Sequence, residues 1–189
     1  MTTKISNLLR GCAVCMCTVA AMNTTAVADI ASFSLDDIDY YAGIFTLVDE
    51  FDTGMANDPI IGVHLSEIIL ETYDNTGQPN WASEALLAID LAQADGQSLM
   101  YIFAPFENED SQGIFNLENW YADLTGSGYY VPDDGIISVY AVGSWSDGTG
   151  LPSGTWLEGL VEVEFGVPAP GAIVLLMVAG AASRRRRRT

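Results

Sequence analysis

The chain has 189 residues, of which 25 are Asp or Glu and only 7 are Lys or Arg, giving a formal net charge of −18 and a sequence pI near 4.1. That balance excludes nucleic acid and anionic lipid surfaces as partners, because both are gripped by cations on the protein. Hydrophobic residues make up 49% of the chain, enough for a full apolar core, while three cysteines do not make a disulfide framework.

At the N-terminus, Lys4 and Arg10 precede an uncharged stretch from Gly11 to Ala28 that closes on Ala26-Val27-Ala28 before Asp29. A positive head, an apolar middle and a small-residue site form the secretory pattern. Signal peptidase is therefore expected to read Ala26 and Ala28, leaving a mature chain that begins at Asp29. Cys12, Cys15 and Cys17 all fall inside this leader. Their spacing is not read as a redox or zinc motif, and the exported part has no thiol.

The segment from Asp29 to Gly166 holds every acidic residue and no lysine or arginine, since the basic residues are Lys4, Arg10 and Arg184 to Arg188. It cannot form a Lys or Arg salt bridge. Two readings of this acidity follow: a surface that keeps the domain soluble in saline water, and a surface that binds divalent cations. The first is the base case.

Along the segment, Ala42 to Phe51 and Gly62 to Thr72 read as strands, with His64 pointing opposite to Val63 and Leu65. Ser83 to Ala94 is ambiguous. Ala85, Leu87, Ile89 and Leu91 alternate as a strand does, yet Ala, Leu and Glu favour helix; a strand is expected. Leu99 to Phe106 is almost continuously apolar, Ile114 to Tyr121 is mixed, and Gly126-Ser127-Gly128 marks a turn before Tyr129, Tyr130 and Val131. Ile136 to Val142 is β-branched and aromatic, led in by Asp133-Asp134-Gly135. In the last strand Thr155, Leu157, Val161, Val163 and Phe165 share one parity, and Trp156, Glu158, Glu162 and Glu164 share the other, the wet one. Leu160 breaks the rule, and Gly159 beside it marks a bulge. The strand at Ile136 and this one are expected to pair like a hairpin with a long loop. Eight or so strands and no long helix predict a mainly β domain, a two-layer antiparallel β-sandwich of jelly-roll or related topology.

Asp36, Asp37 and Asp39, together with the turn at Asp133 and Asp134, are hard oxygen donors of the kind calcium prefers, although no twelve-residue calcium loop is present. Turn formation and solvated charge are the commoner use of such residues. His64 is the only histidine and there is no nucleophile elbow, so hydrolysis by a serine triad is not expected. Glu162 and Glu164 lie roughly 7 Å apart along one strand face, a spacing compatible with glycoside hydrolysis. With 25 acids such pairs arise by chance. Aromatic faces stack on sugar rings. Trp156, on the wet parity, and Trp145, in a Gly/Ser/Asp loop, are the candidates for exposure, with Tyr129 and Tyr130 beside them; on this alternative the domain is a carbohydrate-binding module for extracellular polysaccharide.

The chain ends on Val167-Pro168-Ala169-Pro170, an apolar run from Gly171 to Ala182, and the cluster Arg184, Arg185, Arg186, Arg187 and Arg188. As a helix, Val167 to Ser183 reaches roughly 25 Å at about 1.5 Å per residue, marginal against a bilayer core of about 30 Å. The arginines belong on the cytoplasmic side, which leaves the acidic domain outside. These residues resemble the PEP-CTERM sorting signal of Gram-negative and related bacteria, departing from it at Ala169, where that family has glutamate. The resemblance implies an exosortase-like membrane protease as partner, transient membrane anchoring by a short transmembrane helix, and a final place at the cell surface or in the extracellular matrix. The expectation is a non-enzymatic structural or interaction protein with no obligate cofactor.

Overall fold

The computed structural model describes residues 28–75, 77, 79–145 and 148–166. The leader with Ala26, and the tail with its proline frame and arginines, lie outside the described residues. The chain forms ten strands in two antiparallel sheets: β1 (Ala28–Ser34), β2 (Ile38–Tyr40), β3 (Thr46–Asp52), β4 (Ile60–Thr72), β5 (Ala85–Gln93), β6 (Ser98–Phe103), β7 (Ile114–Asp123), β8 (Tyr129–Tyr130), β9 (Ile136–Gly143) and β10 (Gly154–Gly166). The first sheet runs β1-β10-β4-β7, with β2 also on β10; the second runs β3-β9-β5-β6, with β8 also on β5.

The inward positions of both sheets merge in one core. Val63, Leu65, Ile68, Leu70, Val161, Val163 and Phe165 come from the first sheet, and Leu87, Ile89, Leu91, Ile137, Val139 and Ala141 from the second. Aromatic rings join the layers: Phe103 stacks on Trp120 at 5.0 Å, and Phe33 meets Phe51 edge-on at 6.4 Å. Two packed antiparallel sheets around a shared apolar core are consistent with a β-sandwich. β1 and β10 pair along their length, from Ala28 on Gly166 to Ser34 on Leu160. The core is thus enclosed by strands whose first and last members hold each other, and every described strand lies between Ala28 and Gly166.

The ambiguous stretch at Ser83 to Ala94 is strand β5, entered through one 3-10 turn, Ala82–Glu84. Its alternating Ala85, Leu87, Ile89 and Leu91 are all fully buried. Burial on the sheet face outweighs the helix preference of Ala and Leu, worth at most about 0.7 kcal/mol per residue. By contrast, the expected hairpin of β9 with β10 does not form. β9 pairs β3 and β5, and β10 pairs β1, β2 and β4, so the loop between them crosses from one sheet to the other.

The bulge read at Gly159 is present, with φ of 146°, a register shift across it between Glu158 and Leu160 and another just before it between Trp156 and Glu158. It has a larger consequence than one unpaired residue. Trp156 precedes the slip and points inward with Val161, Val163 and Phe165 beyond it; it is 0% exposed, with its ring 6.2 Å from Tyr40 and 6.3 Å from Phe106. The wet parity assigned to Trp156 is therefore wrong, because the bulge shifts the phase between it and the glutamates. The same phase slip crosses the sheet. On β4 the inward residues are Val63 and Leu65, then Ile68 and Leu70, with Glu67 held at φ 54° between them. On β7 they are Phe115 and Leu117, then Trp120 and Ala122.

Tyr40 lies fully buried at this core, its hydroxyl without a hydrogen-bond partner among the described residues. Burial, then the nearby charge of Glu84, pushes its phenol pKa well up. A phenol harder to ionise folded than unfolded contributes stability below its ordinary pKa of about 10, and that contribution is lost as pH rises above it. Tyr40→Phe should leave neutral-pH stability unchanged or raise it by about 1 kcal/mol, since an unpaired buried hydroxyl is removed. It should also flatten the decline above about pH 10. Urea unfolding of both proteins across pH 7 to about 11 measures the difference.

Candidate functional site

The aligned phase slips bend the first sheet and leave a depression on its outer face. It encloses about 580 Å³ and is lined by Ser66, Glu67, Asn116, Glu118, Asn119 and Glu158 among others. A second depression of about 400 Å³ continues from it past Ser34 and Asp36, sharing Ser66, Glu67 and Glu158. Glu67 is a non-glycine residue in the left-handed region, which costs on the order of 1–3 kcal/mol and is kept only where surrounding pairs fix it. Here the flanking pairs are Ser66 with Asn119 and Ile68 with Leu117.

Along the same face, one cross-strand row sets Glu162, His64 and Tyr121 side by side. His64 Nδ1 lies 3.1 Å from Glu162 Oε2, and both side chains are about a third or less exposed. His64 faces outward, as its alternation with Val63 and Leu65 requires, and its ring is 6.5 Å from that of Tyr121. In the next row Glu164 sits opposite Gly62, across which the Tyr121 phenol leans. Burial by neighbouring groups, then the charges of Glu164 and Asp123, pushes the Tyr121 phenol pKa up, with a hydrogen bond to Glu164 adding to it. Asp123 is held low by hydrogen bonds from Thr125. Glu162 is thus engaged with the imidazole, and Glu164 with a phenol that resists ionisation.

The oxygen donors proposed for calcium do not come together. Asp39 accepts a hydrogen bond from the Thr155 hydroxyl, which lies 2.8 Å from that of Tyr73. Asp36 and Asp37 are exposed beside it. Asp133 and Asp134 lie before the start of β9, where the Asp134 carboxylate caps Ile136 N–H at 3.0 Å. Tyr40, next to Asp39, packs at the far end of β9 by Gly143. The two groups are separated by most of that strand, roughly 20 Å at about 3.3 Å per residue. Among the described residues, no three Asp, Glu, His or Cys side chains form a metal-holding group.

The aromatic candidates also divide. Tyr130 pairs Ala92 and Tyr129 pairs Gln93 at one end of β5, and Tyr129 packs against the core and Tyr101 at 5.7 Å. Trp145 follows Gly143, which pairs Ala85 at the opposite end. What stands beside Trp145 is a residue not singled out from sequence, Trp81. The two indoles, with Gly77, Pro79 and Glu84, line an open cleft of about 460 Å³. Trp81 is 41% exposed.

The walls of this cleft are fixed from beneath. Asn80 is buried and ties its backbone N–H and side-chain amide to the Tyr73 carbonyl at 3.0 and 2.9 Å. Glu84 accepts the Trp81 backbone N–H at 3.0 Å, and Ser144 N–H donates to the Glu84 carbonyl at 2.9 Å, which ties the two tryptophan segments together. The sequence signal was slight: a tryptophan between Pro79-Asn80 and a short turn, equally suited to the core. An apolar cleft with aromatic walls and one carboxylate suits the apolar face of a sugar ring, with hydroxyls left to hydrogen-bond at the rim.

No protein-family profile matches the chain, and no curated protein sequence is similar to it. Solved structures with some likeness belong to infectious bursal disease virus. The icosahedral particle of that virus aligns at TM-score 0.38 and 16% identity over 74% of this chain. The Gt strain structure aligns at TM-score 0.35 and 16% identity, again over 74%. The chain spans about a third of the length of those viral chains, 31% and 33%.

Proposed function

We propose that the chain is an exported protein of the cell surface or extracellular matrix, sorted by an exosortase-like system and serving a non-enzymatic structural or interaction role. What supports this reading is the secretory pattern at one end and the proline frame and arginine cluster at the other, flanking a domain whose first and last strands pair, Asp29 with Phe165 onward. Cross-strand partners lie about 5 Å apart. The chain therefore enters and leaves the domain at one point, so an anchor at either terminus holds the same end of the domain towards the membrane. The strand order supports reading the domain as a jelly-roll: β1-β10-β4-β7 faces β3-β9-β5-β6, and the chain moves repeatedly between the two sheets.

A second reading, that the domain is a carbohydrate-binding module, is favoured by the Trp81 and Trp145 cleft. A domain so rich in carboxylates repels polyanions, so the ligand on this reading is an uncharged extracellular polysaccharide.

The first reading is tested by mass spectrometry of the protein recovered from the cell surface. The expected C-terminus lies upstream of Arg184; an intact Arg188-Thr189 end on the displayed protein contradicts sorting by cleavage. The second is tested by tryptophan fluorescence titration of the Ala28 to Gly166 segment with neutral and acidic polysaccharides. Binding is expected for neutral polymers alone, and Trp81→Ala and Trp145→Ala should each weaken it by roughly 5- to 30-fold, the loss of about 1–2 kcal/mol of stacking. Binding by both variants as tight as that of the unsubstituted protein removes the cleft from the account.

A further inference from the structure

We propose that the cleft between Trp81 and Trp145 binds a methylated ammonium cation of the choline type, seated over the indole faces and against the Glu84 carboxylate. The carbohydrate reading needs only the indole faces; this inference turns on the charge beside them and stands apart from it. The cleft of about 460 Å³ is lined by Gly77, Pro79, Trp81, Glu84 and Trp145, so its walls are two π systems, one proline ring and a single carboxylate. An indole face attracts a cation through the ring quadrupole, and tryptophan does so better than tyrosine or phenylalanine. Aromatic walls about a cation are the arrangement that recognises quaternary ammonium groups.

The carboxylate is fixed by the fold itself. Glu84 Oε2 accepts the Trp81 backbone N–H at 3.0 Å, and the Glu84 carbonyl accepts Ser144 N–H at 2.9 Å, next to Trp145. Its counter-charge has to come from outside the domain, because no Lys or Arg lies between Gly11 and Ser183 and His64 is engaged with Glu162. At the rim, Asp74 accepts the Gly77 N–H and adds charge of the same sign. Hydration then selects among cations. A metal ion needs several oxygen ligands, and among the described residues no three carboxylate, imidazole or thiol groups gather to hold one. A primary ammonium is strongly hydrated and has three N–H donors to satisfy, against one carboxylate here. A methylated ammonium has few or no such donors, and its methyl groups pack on indole as apolar surface does. An anionic group on the same ligand would face a domain carrying 25 carboxylates, which disfavours zwitterions and leaves a simple monocation.

Calorimetric titration of the full-length chain with choline chloride should show one site of millimolar Kd, weakening as sodium chloride is added because the attraction is between opposite charges. Dimethylbutanol, in which carbon replaces the charged nitrogen, should bind roughly tenfold more weakly or worse, and glycine betaine, which adds a carboxylate, should also bind more weakly than choline. Glu84→Gln keeps an acceptor for the Trp81 N–H and removes the charge. It should weaken choline roughly fivefold or more and leave dimethylbutanol unchanged. Trp81→Leu keeps an apolar wall and loses the π face, and should weaken choline roughly 3- to 10-fold. Circular dichroism checks that each variant is folded. No binding up to about 100 mM choline overturns the proposal, and so does an isostere that binds as tightly as choline, or a Glu84→Gln protein that binds choline as the unsubstituted one does. Neutral polysaccharide binding without choline binding removes this inference and leaves the carbohydrate reading standing; choline binding without polysaccharide binding does the reverse.

Discussion

A domain that carries carboxylates and no lysine or arginine has no strong ion pairs with which to hold itself together. Among its described residues, His64 with Glu162 is the one contact between a carboxylate and a side chain able to carry positive charge, and it is partly exposed. Surface pairs of that kind contribute little, about 0–1 kcal/mol. Cohesion falls to the apolar core between the sheets and to the backbone ladders, while the like charges oppose compaction over a Debye length. This explains why so many inward positions are completely closed to solvent: Val63, Leu65, Leu87, Ile89, Val139, Val161 and Val163 are all at 0% exposure. It also explains where the carboxylates sit. They occupy turns, as Asp52, Asp95, Asp123 and Asp134 do by accepting nearby backbone N–H groups, and outward sheet positions, among them Glu162 and Glu164 on the first sheet and Glu50 and Asp90 on the second.

The phase slips in β10, β4 and β7 are the second organising feature. A bulge in a single strand would leave its neighbours with their side chains on the wrong face. Because the slip occurs at one level in all three, inward residues remain inward on both sides of it, and the outer surface is bent into a depression instead. Gly159 is required there: a Cβ would stand 2.4 Å from the Ile68 side chain. Glu67 accepts the same geometry at a cost in backbone strain.

Much of the fold was legible. Period-two alternation located β5 and β10, β-branched and aromatic composition located β9, β4 was read as a strand over Gly62 to Thr72, and the bulge at Gly159 was visible from the glycine and the misplaced Leu160. The partnership of the strands was not legible, because the turn residues between Gly143 and Gly154 serve equally for a hairpin and for a crossing between sheets. β1 and β2 were not singled out: their alternation is short and interrupted by Asp36 and Asp37, and only pairing with β10 makes them strands. Trp156 was misplaced for a specific reason. Parity was counted back through the bulge as though the strand were regular. At the site, Trp145 was read as exposed from its polar loop and is half-buried at the edge of a cleft. Its neighbour Trp81 is 64 positions away in sequence, brought there by the pairing of β5 with β9.

The central claim is that an apolar core between two sheets holds this domain against its own charge. Thermal unfolding of the Ala28 to Gly166 segment at neutral pH tests it most directly, with sodium chloride raised from 0.01 M to 1 M so that the screening length falls from about 30 Å to about 3 Å. The midpoint is predicted to rise throughout that range as repulsion is screened. A midpoint that stays constant or falls would mean that attractive charge pairs, rather than the core alone, contribute to holding the sheets together.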